Sequence, residues 1–327
     1  MLMETNKNRR LIGFFACLFS LIYANAQNVT IGGLKYYLYP ETHTAAINNG
    51  NTWTGELDIP SEIEYNGYIY TVNAMVFDAF EDCKDLTKVR IPQTIEQIIH
   101  HVLSDEPSIG GAVSPEYNNP FEGCTSLEIV FVDEDNSSFK SVDGVLFNKD
   151  GTELYCFPAG RTSESYIIPE GVASLGGDAF KNNINLVSVK LSETISRLCN
   201  GVFLGCSSLK TIDIPENVTQ IGSFVFYGCN LSALIIRGIL NDNSMNEELF
   251  YGMNESTKIY VPSTELNRYK GKFNRTFYPL EEYIDGIEQI KLHQLSISIF
   301  DLSGRRVSEA AMNKGLYIRN GKKIVRK

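Results

Sequence analysis

The feature that most constrains the fold is a motif, Phe-x-x-(Cys/Asn/Met), that recurs along the 327-residue chain. Its occurrences are Phe80/Cys83, Phe121/Cys124, Phe180/Asn183, Phe203/Cys206, Phe226/Cys229 and Phe250/Met253. The last four phenylalanines are 23, 23 and 24 residues apart. A unit this short cannot bury its apolar side alone, so neighbouring units must stack and share one core. The period therefore predicts a mainly β repeat array.

One complete unit, residues 203–222, shows what each class of residue does. Its apolar and turn positions are Leu209, Ile212, Ile214, Pro215, Val218, Ile221 and Gly222. The first three predict a short strand that Pro215 ends, and the remainder predict a second buried edge followed by a tight corner. The apolar residue five positions before the phenylalanine recurs as Met75, Leu175, Leu198 and Ile221.

Cysteine is common at the last position of the motif. The cysteines after residue 26 are Cys83, Cys124, Cys156, Cys199, Cys206 and Cys229. A thiol is small, tolerates burial and donates weakly, and the amide of Asn183 can likewise engage buried backbone groups. We therefore expect mostly reduced, buried thiols. Units stacked about 5 Å apart leave a Cys206–Cys229 disulfide open as an alternative.

The first 26 residues have the order of a secretory signal peptide. A basic segment at residues 7–10 precedes a 13-residue apolar run at 11–23, which is too short to cross a hydrocarbon core about 30 Å thick as a helix. Residues 24–26, Ala-Asn-Ala, supply a cleavage site, so the mature chain is expected to begin at Gln27. We expect no transmembrane span in that mature chain.

The formal net charge of −10 is distributed unevenly. Residues 27–290 carry −19, whereas residues 291–327 carry +7. An acidic body repels phosphate backbones, which argues against nucleic acid as a partner. The change of sign near residue 290 indicates a separate C-terminal module.

Dipeptides of the Ile-Pro type follow most of the predicted strands. They are Ile59-Pro60, Ile91-Pro92, Ile168-Pro169, Ile214-Pro215 and Val261-Pro262, with Leu191-Ser192 as a departure. Together with the motif, they resemble the BspA-like leucine-rich repeat of Bacteroidetes surface proteins. The resemblance implies a leucine-rich-repeat solenoid over residues 27–283, with units of about 23 residues and a parallel sheet.

The start of this array has a different pattern. Tyrosine-rich runs at residues 36–39 and 64–72 include Asn66-Gly67, a pair typical of a type I′ hairpin. We therefore expect residues 27–75 to form a β-hairpin cap at the N-terminal end of the array.

One unit is interrupted by an insertion, because Phe121 follows Ile98 by 23 residues instead of five. The inserted loop, residues 99–116, carries His100, His101, Asp105 and Glu106. It is a candidate binding loop, with a plain surface excursion as the alternative. Adjacent histidines without a second spaced ligand pair are a weak metal motif, so no metal site is assigned.

A second irregular segment is acidic. Asp133-Glu134-Asp135 precedes two Asp-Gly pairs at 143–144 and 150–151. Carboxylates beside such turns suit calcium, although the spacing is not that of an EF-hand loop. Asp-Gly pairs are also typical of hairpin turns. A calcium site near Asp133–Asp135 and a strand-rich spacer both stay open.

Residues 286–327 lose the period and alternate instead, with a hairpin expected at Asn320-Gly321. The segments Asp301-Leu-Ser-Gly-Arg305 and Gly315-Leu-Tyr-Ile318 resemble the C-terminal sorting domain of exported Bacteroidetes proteins. That resemblance implies passage across the outer membrane. A β cap over the last unit is the alternative.

Motifs of catalysis are absent from the sequence. There is no Gly-x-Ser-x-Gly, His-Glu-x-x-His, Cys-x-x-Cys or phosphate-binding glycine-rich loop. We therefore predict that the chain is not an enzyme, with no catalytic residues and no cofactor.

The outward positions of the predicted strands form the candidate binding face. They are Lys88, Arg90, Ile129, Phe131, Ser188, Lys190, Thr211, Asp213, Ala233 and Ile235. Stacking aligns them in columns across successive units. The columns mix charged, polar and apolar side chains without an aromatic row, which fits a protein interface better than a small-ligand pocket.

These patterns, and above all the family resemblance, favour an exported cell-surface or secreted module for protein binding or adhesion. The expected partner is a protein of a host matrix or of another microbial surface. The alternative is a structural or assembly component of the cell envelope. The sequence leaves the oligomeric state open.

Overall fold

A computed structural model describes residues 27–99 and 119–284, together with the backbone of four short strands between residues 299 and 326. The predicted signal peptide and nearly all of the inserted loop lie outside the described residues. The chain divides into two compact units, Met1–Ile259 and Tyr260–Lys327. The predicted junction with the C-terminal module, at residues 283–286, falls within the second unit.

The described part of the first unit is built almost entirely of short strands. Its first nine are β1 (Gln27–Ile31), β2 (Leu34–Tyr39), β3 (Thr44–Ile47), β4 (Gly55–Asp58), β5 (Glu62–Tyr65), β6 (Tyr68–Val76), β7 (Leu86–Ile91), β8 (Gln97–Ile99) and β9 (Ile129–Val132). The next ten are β10 (Phe139–Val142), β11 (Val145–Asn148), β12 (Glu153–Cys156), β13 (Ser165–Ile167), β14 (Ser174–Leu175), β15 (Ser188–Lys190), β16 (Arg197–Leu198), β17 (Thr211–Ile214), β18 (Gln220–Ile221) and β19 (Ala233–Ile236). A 3-10 helix, Glu247–Phe250, follows. The predicted mainly β fold is confirmed.

The N-terminal sheet begins with antiparallel pairs and then becomes parallel. Its order is β1-β2-β3-β6-β5, and β8 also pairs with β6. Strands β5 and β6 form a hairpin in which Tyr65 faces Tyr68. Asn66 (φ 52°) and Gly67 (φ 80°) are both left-handed, as a type I′ turn requires. The hairpin prediction is therefore confirmed.

Each repeat contributes strands to two different sheets, in which the strands of successive repeats pair in parallel. The outer strands form outer sheet 1 (β4-β7-β9) and outer sheet 2 (β13-β15-β17-β19), and a companion sheet has the order β10-β11-β12-β14-β16-β18. In the companion sheet, Leu198 pairs with Leu175 on one side and with Ile221 on the other. The second buried edge predicted from the repeat is this companion sheet.

The motif phenylalanines are buried, and several of their rings pack against the ring of a neighbouring unit. Ring centroids are 5.5 Å apart for Phe80 and Phe121 and 5.3 Å apart for Phe180 and Phe203. Phe157 lacks the motif but extends this row of rings, which we call the ladder; its ring centroid lies 5.0 Å from that of Phe180. Full burial of one such ring contributes roughly 2–3 kcal/mol, so the ladder is a main source of cohesion between units.

The cysteine position of the motif connects each unit to the one before it. Thiol groups donate to backbone oxygens at 3.0 Å, Cys124 to Phe80, Cys206 to Phe180 and Cys229 to Phe203. Asn183 does the same with its side-chain amide, which donates to the Phe157 oxygen at 3.1 Å. The six described cysteines are free and buried, as predicted, and Cys206 and Cys229 are not bridged.

The second unit starts within β20 (Lys258–Val261) and continues through a 3-10 helix, Ser263–Glu265. Helix α1 (Leu266–Lys272) and β21 (Phe277–Pro279) follow. The ring centroids of Tyr269 in α1 and Phe277 in β21 are 5.3 Å apart. Strands β22 (Ile299–Asp301), β23 (Arg306–Val307), β24 (Gly315–Arg319) and β25 (Lys322–Arg326) form a sheet of order β23-β22-β24-β25. No helix of the described residues has the length and apolarity to cross a membrane.

Candidate functional site

The ten predicted face residues belong to two separate sheets. Four lie on outer sheet 1, namely Lys88, Arg90, Ile129 and Phe131, and six on outer sheet 2, namely Ser188, Lys190, Thr211, Asp213, Ala233 and Ile235. The expectation of columns that run through all units is therefore wrong. The candidate site consists of two shorter faces.

The break between the faces is caused by the acidic segment. The hairpin β10–β11 packs beside β9, where Val130 donates to the oxygen of Gly144 at 3.0 Å. Gly144 lies so close to Ile129 that a Cβ there would overlap the isoleucine side chain. Arg161 holds the hairpin turn by an ion pair with Asp143, 2.9 Å long. The next outer strand, β13, consequently starts a new sheet.

The face of outer sheet 1 consists of internally paired charges beside an aromatic ring. Lys88 contacts Glu56 at 2.7 Å, which raises the pKa of the lysine above its usual value. Arg90 contacts Asp58 at 3.3 Å and lies 5.2 Å from the ring centre of Phe131. Such pairs orient the long side chains but contribute little to stability at an exposed surface. The face therefore presents an ordered, charged and partly aromatic surface.

Outer sheet 2 presents two rows of residues. Ser165, Ser188, Thr211 and Ala233 align in one row. In the other, Ile167 pairs with Lys190, and Ile167 is 69% exposed. Directly after the end of β19, Arg237 contacts Asp213 at 2.8 Å and Glu193 at 2.7 Å. Burial raises the pKa of Asp213 and the arginine opposes that rise.

The prediction that Ile235 belongs to an exposed face is wrong, because this residue is only 1% exposed. Strand β19 is buried on both sides from Leu234 to Ile236. Ile235 pairs with Asp213, and Arg237 reaches back to that aspartate from the same side of the chain. Strand alternation gives the side on which a residue lies, whereas its exposure depends on neighbours outside the repeat.

The sequence reasoning missed Glu56, Asp58, Ser165 and Ile167, which complete the rows. A signal was present, because Ile59-Pro60 and Ile168-Pro169 mark the ends of β4 and β13. Counting back from each proline by two and four residues gives these four positions. They were missed because neither strand follows a Phe-x-x-Cys motif at the usual distance.

The structure describes the candidate calcium segment, whereas the candidate loop lies almost entirely outside the described residues. His100, His101, Asp105 and Glu106 lie outside the described residues. In the acidic segment, the buried Asn136 donates to the oxygens of Pro92 and Ile95 at 2.9 and 2.8 Å. The strands β10–β12 fit the spacer interpretation. Over residues 27–99 and 119–284, no three metal-ligating side chains form a cluster.

The companion sheet carries a shallow groove of about 340 Å³. Its lining is polar and consists of Thr152, Glu153, Ala173, Ser174, Ser196, Arg197, Thr219 and Gln220. These residues include neither cysteine nor histidine, so the groove offers no activated nucleophile with an imidazole base.

Several solved structures are similar to this chain. The pneumococcal vaccine antigen PcpA is 18% identical, with 77% of this chain and 98% of that chain covered and a TM-score of 0.38. A leucine-rich repeat protein from Eubacterium ventriosum is 18% identical, with 73% and 79% covered and a TM-score of 0.38. A leucine-rich cell surface protein from Faecalibacterium prausnitzii is 20% identical, with 74% and 97% covered and a TM-score of 0.36.

Comparison with family models gives a match to the BspA-type leucine-rich repeat region, in six copies. The matched residues are 61–149, 151–259 and 173–291, which together exceed half of the chain. Comparison with curated proteins gives no match.

Proposed function

Because the chain belongs to the BspA-type leucine-rich repeat family, we propose that it is an exported protein-binding or adhesion module that uses the faces of its two outer sheets. The resemblance inferred from the Ile-Pro signatures is confirmed by the six family matches. Members of the family are repeat proteins, typically without enzymatic activity, and their general role is protein interaction. What we propose for this chain is the position of the binding site, the kind of partner and export from the cell.

The observation that carries the proposal is the group Asp58, Arg90 and Phe131 on outer sheet 1. Arginine and aromatic residues are enriched in the energetically dominant parts of protein interfaces. Here the guanidinium is held between a carboxylate at 3.3 Å and a ring at 5.2 Å. Since the strands beneath are hydrogen-bonded on a buried core, their backbone needs no further ordering when a partner binds.

Outer sheet 2 supports the same role with different chemistry. Ile167 is a large apolar side chain in solvent, next to the cation of Lys190, and Asp213 follows one strand later. A single exposed isoleucine is ordinary. Its position in a row with opposite charges fits a partner surface that offers apolar and charged groups together, as a protein does.

Export is proposed from the N-terminal segment at residues 1–26, and surface or extracellular location from residues 286–327. Mass spectrometry of the protein recovered from cells and medium tests both. A mature N-terminus at Gln27 in a surface or extracellular fraction is expected. Intact residues 1–26 in a cytoplasmic fraction would contradict the proposal.

Binding is tested by surface plasmon resonance of the purified chain on immobilised extracellular matrix proteins, microbial surface proteins and the chain itself. The variants are Arg90→Ala, Phe131→Ala and Ile167→Ser, with deletion of residues 100–116 in parallel. Ile239→Ser is the matched control, since it removes an exposed isoleucine outside the outer strands. We expect at least one face variant to weaken binding about tenfold or more, with the control unchanged.

Two results would overturn parts of this proposal. Binding that only the loop deletion abolishes would place the site on the inserted loop. Binding of the chain only to its own copies or to envelope proteins would favour the structural envelope role instead of adhesion.

A further inference from the structure

Three aromatic side chains form an exposed cluster on the turns of the last repeats, outside both outer sheets. We call Phe224, Tyr227 and Tyr251 the aromatic corner. The tyrosine rings are 5.9 Å apart with 21° between their planes. The ring plane of Phe224 makes an angle of 80° with each tyrosine ring, and its centroid lies 6.5 Å from that of Tyr227 and 5.9 Å from that of Tyr251. Because Tyr227 is 43% and Tyr251 60% exposed, solvent reaches a large part of both rings.

The backbone of Phe224 is held in a conformation that its residue type disfavours. Its φ is 57°, in the left-handed region, where a bulky side chain is an outlier. The same repeat position, two residues before the motif phenylalanine, is Asp178 (φ 55°) and Gly201 (φ 63°) in earlier units. In earlier units this position is therefore occupied by residues that tolerate a left-handed backbone. Strained residues of this kind concentrate at binding sites.

The ring of Tyr227 is fixed by the following unit. It lies against Gly252, where an added Cβ would overlap the ring atoms. Gly252 also has a left-handed backbone, with φ 67°. The contact holds the ring in place before any ligand arrives, and such preorganisation lowers the entropic cost of binding.

We propose that the aromatic corner binds a neutral oligosaccharide, which stacks one pyranose ring on the more exposed Tyr251 and contacts the neighbouring Tyr227 with the next sugar. The apolar C–H face of a pyranose packs on an aromatic face, and phenol hydroxyls can bond to the sugar hydroxyls. Each tyrosine directly follows a motif phenylalanine, Phe226 or Phe250. The two rings therefore repeat along the array, as sugar units repeat along a glycan.

Two asparagines that accompany the tyrosines in the repeat suit a sugar. Asn230 and Asn254 follow the tyrosines by three residues, are exposed, and bond to each other at 3.3 Å. Their amides can donate to and accept from sugar hydroxyls. The charge of −19 on residues 27–290 disfavours anionic glycans, so the ligand is assigned as neutral.

A proline-rich peptide is the other class of ligand that aromatic surfaces take. Such peptides dock into grooves between aromatic side chains. In the aromatic corner the two tyrosines stack on each other and leave no such groove between them. A proline-rich peptide therefore serves as the competing probe.

The test is affinity electrophoresis of the full chain in gels that contain β-glucan, galactomannan, xyloglucan or amylose. A hexasaccharide from any retarding polymer is then titrated by calorimetry, beside a proline-rich decapeptide. The variants are Tyr227→Ala/Tyr251→Ala and Phe224→Asp, which copies the residue of the earlier unit. Tyr68→Ala is the control, because Tyr68 is an equally exposed tyrosine on β6. Thermal melting checks that each variant is folded.

We expect at least one polymer to retard the chain and the double variant to lose about tenfold or more in affinity. Phe224→Asp is expected to weaken binding without lowering the melting temperature, whereas Tyr68→Ala leaves both unchanged. Three results would overturn the proposal: no retardation by any of the four polymers, retardation that the double variant retains, or binding of the decapeptide alone.

Discussion

Asn183 offers a direct test of how the repeats are joined. It is 1% exposed, and its amide donates to the oxygens of Phe157 at 3.1 Å and Phe180 at 2.9 Å. Asn183→Ala removes both bonds from a buried site. A buried acceptor that loses its donor costs about 1–3 kcal/mol, so we expect a loss of about 2–3 kcal/mol in the free energy of unfolding.

The chain itself supplies the matched control, Asn183→Cys. At the same repeat position Cys206 donates its thiol to the Phe180 oxygen at 3.0 Å. A thiol at position 183 keeps a donor for the Phe157 oxygen, although a weaker one. We therefore expect Asn183→Cys to lose less than about 1 kcal/mol.

Urea unfolding followed by far-UV circular dichroism measures the difference between the two variants. Because repeat arrays do not always unfold as one unit, hydrogen exchange of residues 180–206 is measured in parallel. Exchange there should be faster in Asn183→Ala than in Asn183→Cys. Equal losses in the two variants, or no loss in Asn183→Ala, would refute the idea that this position joins neighbouring units by a buried bond.

Four further predictions follow from burial and close packing. Cys206 and Cys229 should resist Ellman's reagent until the chain unfolds, since burial raises the pKa of both thiols; rapid labelling of either thiol in the native chain would contradict this. Burial and then Glu122 raise the pKa of Asp178 to about 7, above its unfolded value of about 3.9. The folded state then holds a proton that the unfolded state has released, so the free energy of unfolding should fall from about pH 4 to pH 7, and Asp178→Asn should flatten that slope in urea titrations. A Cβ at Gly222 would lie 2.7 Å from the backbone nitrogen of Asn200, so Gly222→Ala should cost about 1–3 kcal/mol. Gly271→Ala, in α1 with no atom near its Cβ, should instead stabilise by about 0.5–1 kcal/mol.

The repeat itself could be predicted because its signals are local. Phenylalanine, a small polar or thiol residue and Ile-Pro recur at fixed spacing, and each has one physical role in the stacked unit. The type I′ turn at Asn66-Gly67 was equally predictable, since few other residues accept left-handed backbone at both positions.

The features that sequence reasoning missed depend on contacts between distant segments. The hairpin β10–β11 interrupts the outer sheet because Gly144 packs on Ile129, a pairing that no repeat register shows. Ile235 is buried although strand alternation places it outward. Phe157 completes the ladder without a motif. The aromatic corner does not follow from the strand pattern, because Tyr227 and Tyr251 lie on the turns.

The measurement that tests the central claim most directly is hydroxyl-radical footprinting of the chain with and without a bound protein partner. This method reports the solvent accessibility of individual side chains. Oxidation of Phe131 and Ile167, which are 36% and 69% exposed, should slow on binding, while Tyr68 and Val142 remain unchanged. Protection confined to residues outside both outer sheets, with Phe131 and Ile167 oxidised at the free rate, would contradict the account.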